Sequence, residues 1–263
     1  MIFQIISFGV IGILAGILSG LLGIGGGIVT IPCLVLIFSQ LDIPQEAIMH
    51  LAIGTSLAAM VFNTFSGSYT HHKKQAVLFH IVKPMALGVV LGAILGATAA
   101  NFLSSHILKI SFGVFEIILG VRFLIPDSKT SIKHPLPSFW PLSAISFCVT
   151  AFSTLLGIGG GMINVPILSY FGVPVKKSIG TSSALSFMIS FCRAVFFLLL
   201  GMHSTNAPDT LGFLYIPAFL IISVVSFFSA PYGARLAHRL PTKVLKKVFA
   251  VVLLAAGLVM VIK

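Results

Sequence analysis

Leu21-Leu22-Gly23-Ile24-Gly25-Gly26-Gly27 stands near the start of the chain, and Leu155-Leu156-Gly157-Ile158-Gly159-Gly160-Gly161 repeats it in the second half. Each copy runs on into apolar sequence and meets a proline, Pro32 or Pro166, five residues after its last glycine. Glycine opens backbone conformations closed to other residues and lets backbones approach closely. Proline removes a donor and kinks a helix. In water such a segment reads as a loop. Between apolar flanks it reads as a break between two membrane-embedded helices. Broken helices at matching positions of two halves point to the binding site of a transporter.

Composition agrees. Hydrophobic residues make up 57% of the 263 and charged residues 8%, with a mean hydropathy of +1.13. A soluble globular domain is excluded, and a polytopic membrane protein is expected. The net charge of +11 does not indicate nucleic acid, because Lys and Arg fall between apolar runs as topology determinants do. Cys33, Cys148 and Cys192 lie in apolar sequence without a CxxC pair, so neither a disulfide nor a metal site is expected, and no cofactor is implied. No His/Cys/Glu spacing suits a metal.

Ten apolar segments can be drawn, at 3–23, 25–41, 47–66, 84–101, 106–125, 139–157, 159–172, 178–201, 212–234 and 244–262. The expected fold is an all-α polytopic membrane protein of about ten transmembrane segments. These form two inverted five-segment repeats with broken, glycine-rich helices, 1–125 and 139–263. A polar, proline-rich cytoplasmic linker, 126–138, joins them. Gly54-Thr55-Ser56 recurs as Gly180-Thr181-Ser182, and Gly96-Ala97 as Gly233-Ala234. Such duplication marks transporter folds. All of the 16 basic residues except Lys109, Arg193 and Lys263 fall in alternate loops. The positive-inside rule makes those loops cytoplasmic and both termini extracytoplasmic. Equivalent loops swap charge: Asp42 and Glu46 precede the first Gly-Thr-Ser, Lys176 and Lys177 the second. That swap is the basis for inverting the halves. Whether 3–23 and 25–41 cross fully or form a re-entrant hairpin stays open.

Segment 25–41 spans about 25 Å as a helix, short for a hydrocarbon core of about 30 Å. Its N-terminus, Gly25, Gly26 and Gly27, should lie within the membrane. Gly159, Gly160 and Gly161 should approach from the other side. Helix N-termini carry free N–H groups and a positive dipole end, which suits an anion. The structural alternative is close helix packing on small residues. Thr55, Ser56, Thr181, Ser182 and Ser183 can donate to an oxyanion. Alternatively they bond a carbonyl one turn earlier. Asn164, and Thr30 at the same place in the first copy, are polar residues in apolar surroundings. Arg193 lies deep in segment 178–201, where a charge needs a partner or a cavity. It contacts the substrate or pairs with Glu116. His71 is the histidine most suited to line a pathway.

These residues resemble the TauE/SafE-type sulfite exporter family, also described as the 4-toluene sulfonate uptake permease family. The resemblance spans almost the whole chain. It rests on LLGIGGG-x4-P in both halves, on Gly54-Thr55-Ser56 and Gly180-Thr181-Ser182, and on His71-His72-Lys73-Lys74. It implies a plasma-membrane transporter, an exporter of sulfite, sulfonates or sulfoacetate, with the glycine and Thr-Ser segments as the substrate region. An importer or a carrier of another small anion or sulfur compound is the alternative within transport. An intramembrane enzyme or an assembly factor is the alternative of another class. The partners expected are the anion and the bilayer, with the protein a monomer or homodimer. Cysteines placed at Ser128 and at Lys263 should be labelled from opposite sides of the membrane. Labelling of both from one side contradicts this topology.

Overall fold

A computed structural model describes residues 2–41, 43–125, 135–201 and 209–262. Asp42, linker positions 126–134, which include Ser128, and Lys263 lie outside the described residues. The helices are α1 (Ile2–Leu22), α2 (Gly27–Phe38), α3 (Gln45–Lys73), α4 (Phe79–Asn101), α5 (Ser105–Leu124), α6 (Phe139–Leu155), α7 (Gly161–Tyr170), α8 (Val175–Gly201), α9 (Ile216–Arg239) and α10 (Thr242–Ile262). A two-stranded hairpin, β1 (Thr210–Leu211) and β2 (Leu214–Tyr215), precedes α9 and turns at Gly212, whose φ is 56°.

The all-α class holds, but the expectation of about ten transmembrane segments, five per half, is overturned. Among the described residues six helices are long and apolar enough to cross a membrane: α1, α3, α4, α8, α9 and α10. The other four fall short for physical reasons. The breaks leave α2 with 12 residues and α7 with 10, about 18 and 15 Å of helix. Helix α6 has 17 residues. Helix α5 carries Lys109, Glu116 and Arg122 within its 20 residues. An apolar run in the sequence is not the same thing as a crossing.

Many hydroxyl side chains are buried while large apolar side chains are exposed. Ser146, Thr150, Ser153 and Thr154 of α6 are buried, while Leu95, Phe228 and Val251 are exposed. A lipid-facing surface needs this arrangement, since buried hydroxyls can bond within the bundle and lipid tails offer no partner.

Helices pack across the two halves along glycines. Helix α1 runs parallel to α9, with Gly12, Gly16 and Gly20 meeting Ile222, Ser226 and Ala230 in turn. Helix α4 runs parallel to α6 in the same way, with Gly88, Gly92 and Gly96 against Ser143, Phe147 and Ala151. Equivalent elements thus exchange equivalent contacts. Helices α3 and α8, which carry the two Gly-Thr-Ser copies, run antiparallel: Gly54 abuts Phe213 beyond the end of α8, and Gly180 abuts Ala76 beyond the end of α3. Helices α5 and α10 also run antiparallel, with Gly113 near Met260 and Gly120 near Leu253.

A Cβ on Gly20 would lie 2.0 Å from the Ala230 carbonyl oxygen, and one on Gly88 2.0 Å from that of Ser143. Backbone cannot yield cheaply there. Gly20→Leu and Gly88→Leu should each cost at least about 1–3 kcal/mol. Gly9, with nothing within 4 Å of its Cβ position, should accept leucine within about 0.5 kcal/mol. Melting temperatures in detergent check this; equal losses at all three positions contradict it.

Candidate functional site

The first break follows Leu22. Gly23, Gly25 and Gly26 take φ values of 69°, 85° and 82°, which other L-residues rarely adopt. Helix α2 then starts at Gly27. In the second break Gly157 also has φ 69°, but Gly160 is right-handed, with φ −47°. The two copies share a sequence and differ in backbone.

The breaks meet each other. A Cβ on Gly159 would lie 1.9 Å from the Ile24 carbonyl oxygen, and one on Gly161 2.0 Å from that of Gly23. Gly27 faces the Gly157 carbonyl. Only residues without side chains fit here. The first N–H groups of α2 and α7 therefore start close together inside the protein. Met60 of α3 lies between the breaks, its methyl against both Gly25 and Gly159.

Thr30 Oγ1 donates to the Gly26 carbonyl at 3.1 Å, so it serves the first turn of α2. Asn164, its counterpart, is buried and its Oδ1 has no hydrogen-bond partner. Its Nδ2 lies beside Gly160. On α8, Ser182, Ser183, Ser186, Ser190 and Arg193 recur at helical spacing and are all buried. Ser186 donates to the Gly23 carbonyl at 3.0 Å, joining α8 to the opposite break. Ser182 and Ser183 hydroxyls have no hydrogen-bond partner among the described residues. Ser56, on α3, donates to the Met60 sulfur at 3.8 Å and lies beside Gly27.

Thr55 and Thr181 do something else. Thr55 Oγ1 accepts from the Tyr215 N–H at 2.9 Å, and Thr181 Oγ1 from the Leu78 N–H at 3.0 Å. Tyr215 and Leu78 are the residues that begin α9 and α4. Gly54 and Gly180 admit the neighbouring backbone. The Gly-Thr pair is thus a latch used twice, each time between halves.

Arg193 forms no pair with Glu116, whose two oxygens lack any hydrogen-bond partner among the described residues. Its Nη1 donates to the Ile158 carbonyl, inside the second break. Its Nη2 donates to Ser153 Oγ, and to the Thr150 carbonyl at 3.3 Å. The guanidinium braces the break and sits at the C-terminal end of α6, where the helix dipole favours a cation. Nε has no partner. His71 is buried. Its Nε2–H donates to the Gly20 carbonyl at 2.8 Å, which leaves Nδ1 to accept from His238 Nε2 at 3.1 Å.

Residues 8–260 match the family described as "Sulfite exporter TauE/SafE". The chain belongs to the TauE/SafE family. Similar proteins include a "Probable membrane transporter protein" of Haemophilus influenzae, 31% identical over 96% of each chain. One from Methanocaldococcus jannaschii is 26% identical over 96% of this chain and 94% of its own. One from Bacillus subtilis is 26% identical over 94% of each. No solved structure matches. This TauE/SafE protein is a multi-pass membrane transporter.

Two features of this TauE/SafE chain escape a reading of the sequence. The central methionine, Met60, looks like any apolar helix residue. A vestibule of about 1000 Å³ opens between the end of α2, the start of α3, the α4–α5 turn, the start of α5 and the end of α10. Gln40, Glu46, His50, His106 and Lys109 line it, and it reaches Pro32 of α2. Its residues come from distant segments with no shared motif. Among the described residues no group of His, Cys, Asp and Glu could hold a metal.

Arg193→Met should destabilise the protein by roughly 1–3 kcal/mol for each acceptor left unsatisfied. Arg193→Lys should recover part of that loss, because one ammonium replaces a fork. The check is the melting temperature; an unchanged value for Arg193→Met contradicts the bracing role.

Proposed function

We propose that the protein moves a small sulfur-containing anion, sulfite or a sulfonate such as sulfoacetate, out across the plasma membrane. The anion sits where the two breaks meet. The N–H groups opening α2 and α7, at Gly25–Gly27 and Gly159–Gly161, face it. Ser182 and Ser183 donate hydroxyls and Asn164 its amide, while Ser56 borders the site. Arg193 adds fixed positive charge behind the second break. Thr30, Thr55 and Thr181 hold the site's backbone in place. The observation that carries this reading is two abutting helix starts together with buried polar atoms that have no hydrogen-bond partner among the described residues: Asn164 Oδ1, Ser182 Oγ, Ser183 Oγ and Arg193 Nε. Native proteins leave few such atoms, and unmatched ones mark a place for a ligand or water. The description of the family supports sulfite. The halves 1–125 and 139–263, with linker 126–138 in the cytoplasm and both termini outside, are proposed on loop charge.

Ser182→Ala/Ser183→Ala tests it. Those hydroxyls bond nothing in the protein, so the melting temperature should hold. Affinity for sulfite or sulfoacetate, by calorimetry, should fall by about tenfold for each 1.4 kcal/mol of hydrogen bonding lost. Unchanged affinity, or a loss of stability in its place, contradicts the assignment.

A further inference from the structure

Glu116 is the one acid deep in an apolar segment, and the site described above does not use it. It lies in the middle of α5, on the buried face with Leu108, Phe112, Gly113 and Gly120. Gly113 and Gly120 turn that face onto α10, against Met260 and Gly257 at one end and Leu253 at the other. Glu116 itself is 0% exposed, and neither carboxyl oxygen has a hydrogen-bond partner among the described residues. An ionised carboxylate without a partner is very costly in such surroundings, whereas the neutral acid is tolerated. Acids inside membrane segments mark ion and proton pathways.

The vestibule ends two turns of α5 short of this residue. Lys109 of α5 and Val259 and Met260 of α10 line it. The Met260 side chain also packs on Gly113, its Cβ 3.1 Å from where a Cβ on that glycine would lie. Glu116 follows Lys109 by two turns of α5, about 10 Å along the axis. The flexible Met260 side chain packs on α5 between the vestibule and the carboxyl.

We infer that Glu116 is a proton-binding site, loaded through the vestibule past Met260, which couples anion movement to a proton gradient. The inference rests on the anion-carrier reading. The step is acid–base only: an O–H bond forms on one carboxyl oxygen on the vestibule side and breaks on release, and no electrons move. The elements packed around α5 leave the carboxyl free to titrate alone. Helix α10 carries Lys243, Lys246 and Lys247 in its first turns, and its stretch from Leu253 to Gly257 is apolar. Helix α3 carries Glu46 and His50 at one end and His71, His72 and Lys73 at the other. Cys148 is the titratable group of α6, whose Phe152 meets Phe115. Helix α5 itself adds His106, Lys109 and Arg122. None of these hydrogen-bonds Glu116.

The test uses purified protein in liposomes with sulfoacetate, which stays ionised near neutral pH. Wild-type flux should rise several-fold when a pH gradient is imposed. In Glu116→Gln the ratio of flux with and without the gradient should fall to one. A ratio equal to that of wild type overturns the inference, as does a folded variant with no flux under either condition. Wild-type liposomes that pass neither sulfoacetate nor sulfite overturn the carrier reading and the inference with it. Should the variant not fold, dicyclohexylcarbodiimide, which modifies protonated carboxyls in apolar surroundings, is applied to wild type. Mass spectrometry should find Glu116 modified, less so as pH rises; no modification at any pH overturns the inference.

Discussion

A helix broken inside a bilayer leaves backbone N–H and C=O groups where no water meets them. Two such breaks would be prohibitive if each faced lipid. Here they face each other and borrow side chains. The Gly23 carbonyl takes the Ser186 hydroxyl. The Ile158 carbonyl takes Arg193. The Gly26 carbonyl takes Thr30, and the Gly160 carbonyl the N–H of Asn164. Ser186, Arg193 and Ser153, which holds Arg193, serve this task, and polar atoms left without a partner among the described residues belong to the candidate site. In the proposed site, stability and binding draw on the same residues, with Arg193 bracing the second break.

The breaks are equivalent in sequence and unlike in structure. Gly26 is left-handed and Gly160 right-handed. Where α8 offers Ser186, α3 places Met60 between the breaks. Among the described residues, Asn164 of α7 and Ser182 and Ser183 of α8 keep unpartnered polar atoms, whereas their counterparts Thr30 and Ser56 do not. The candidate site is therefore asymmetric, with Met60 on one side and polar residues of α7 and α8 on the other. For a ligand with a charged head and a small apolar remainder, such as a sulfonate, that asymmetry supplies orientation.

Much of this was legible in the residues. Two LLGIGGG copies located both breaks, and their flanks implied lipid. The repeated Gly-Thr-Ser marked two equivalent positions, but not their use. The partners of Thr55 and Thr181 lie at Tyr215 and Leu78, far along the chain, and a hydroxyl's sequence neighbours say nothing of them. Arg193 suggested Glu116 because acids are visible in a sequence and backbone carbonyls are not. The number of crossings was overcounted because hydropathy registers apolar runs, while α2 and α7 are apolar and too short to span. The vestibule needed four separate segments brought together, which no local pattern encodes.

The central claim is that the anion lies where the breaks meet. Selenite is a close chemical stand-in for sulfite, and its selenium gives an anomalous signal. Anomalous diffraction from crystals grown with selenite locates it directly. The account predicts a peak within hydrogen-bonding reach of Asn164, Ser182 and Ser183, beside Gly159–Gly161. A peak confined to the vestibule near His106 and Lys109, with none at the breaks, would contradict it.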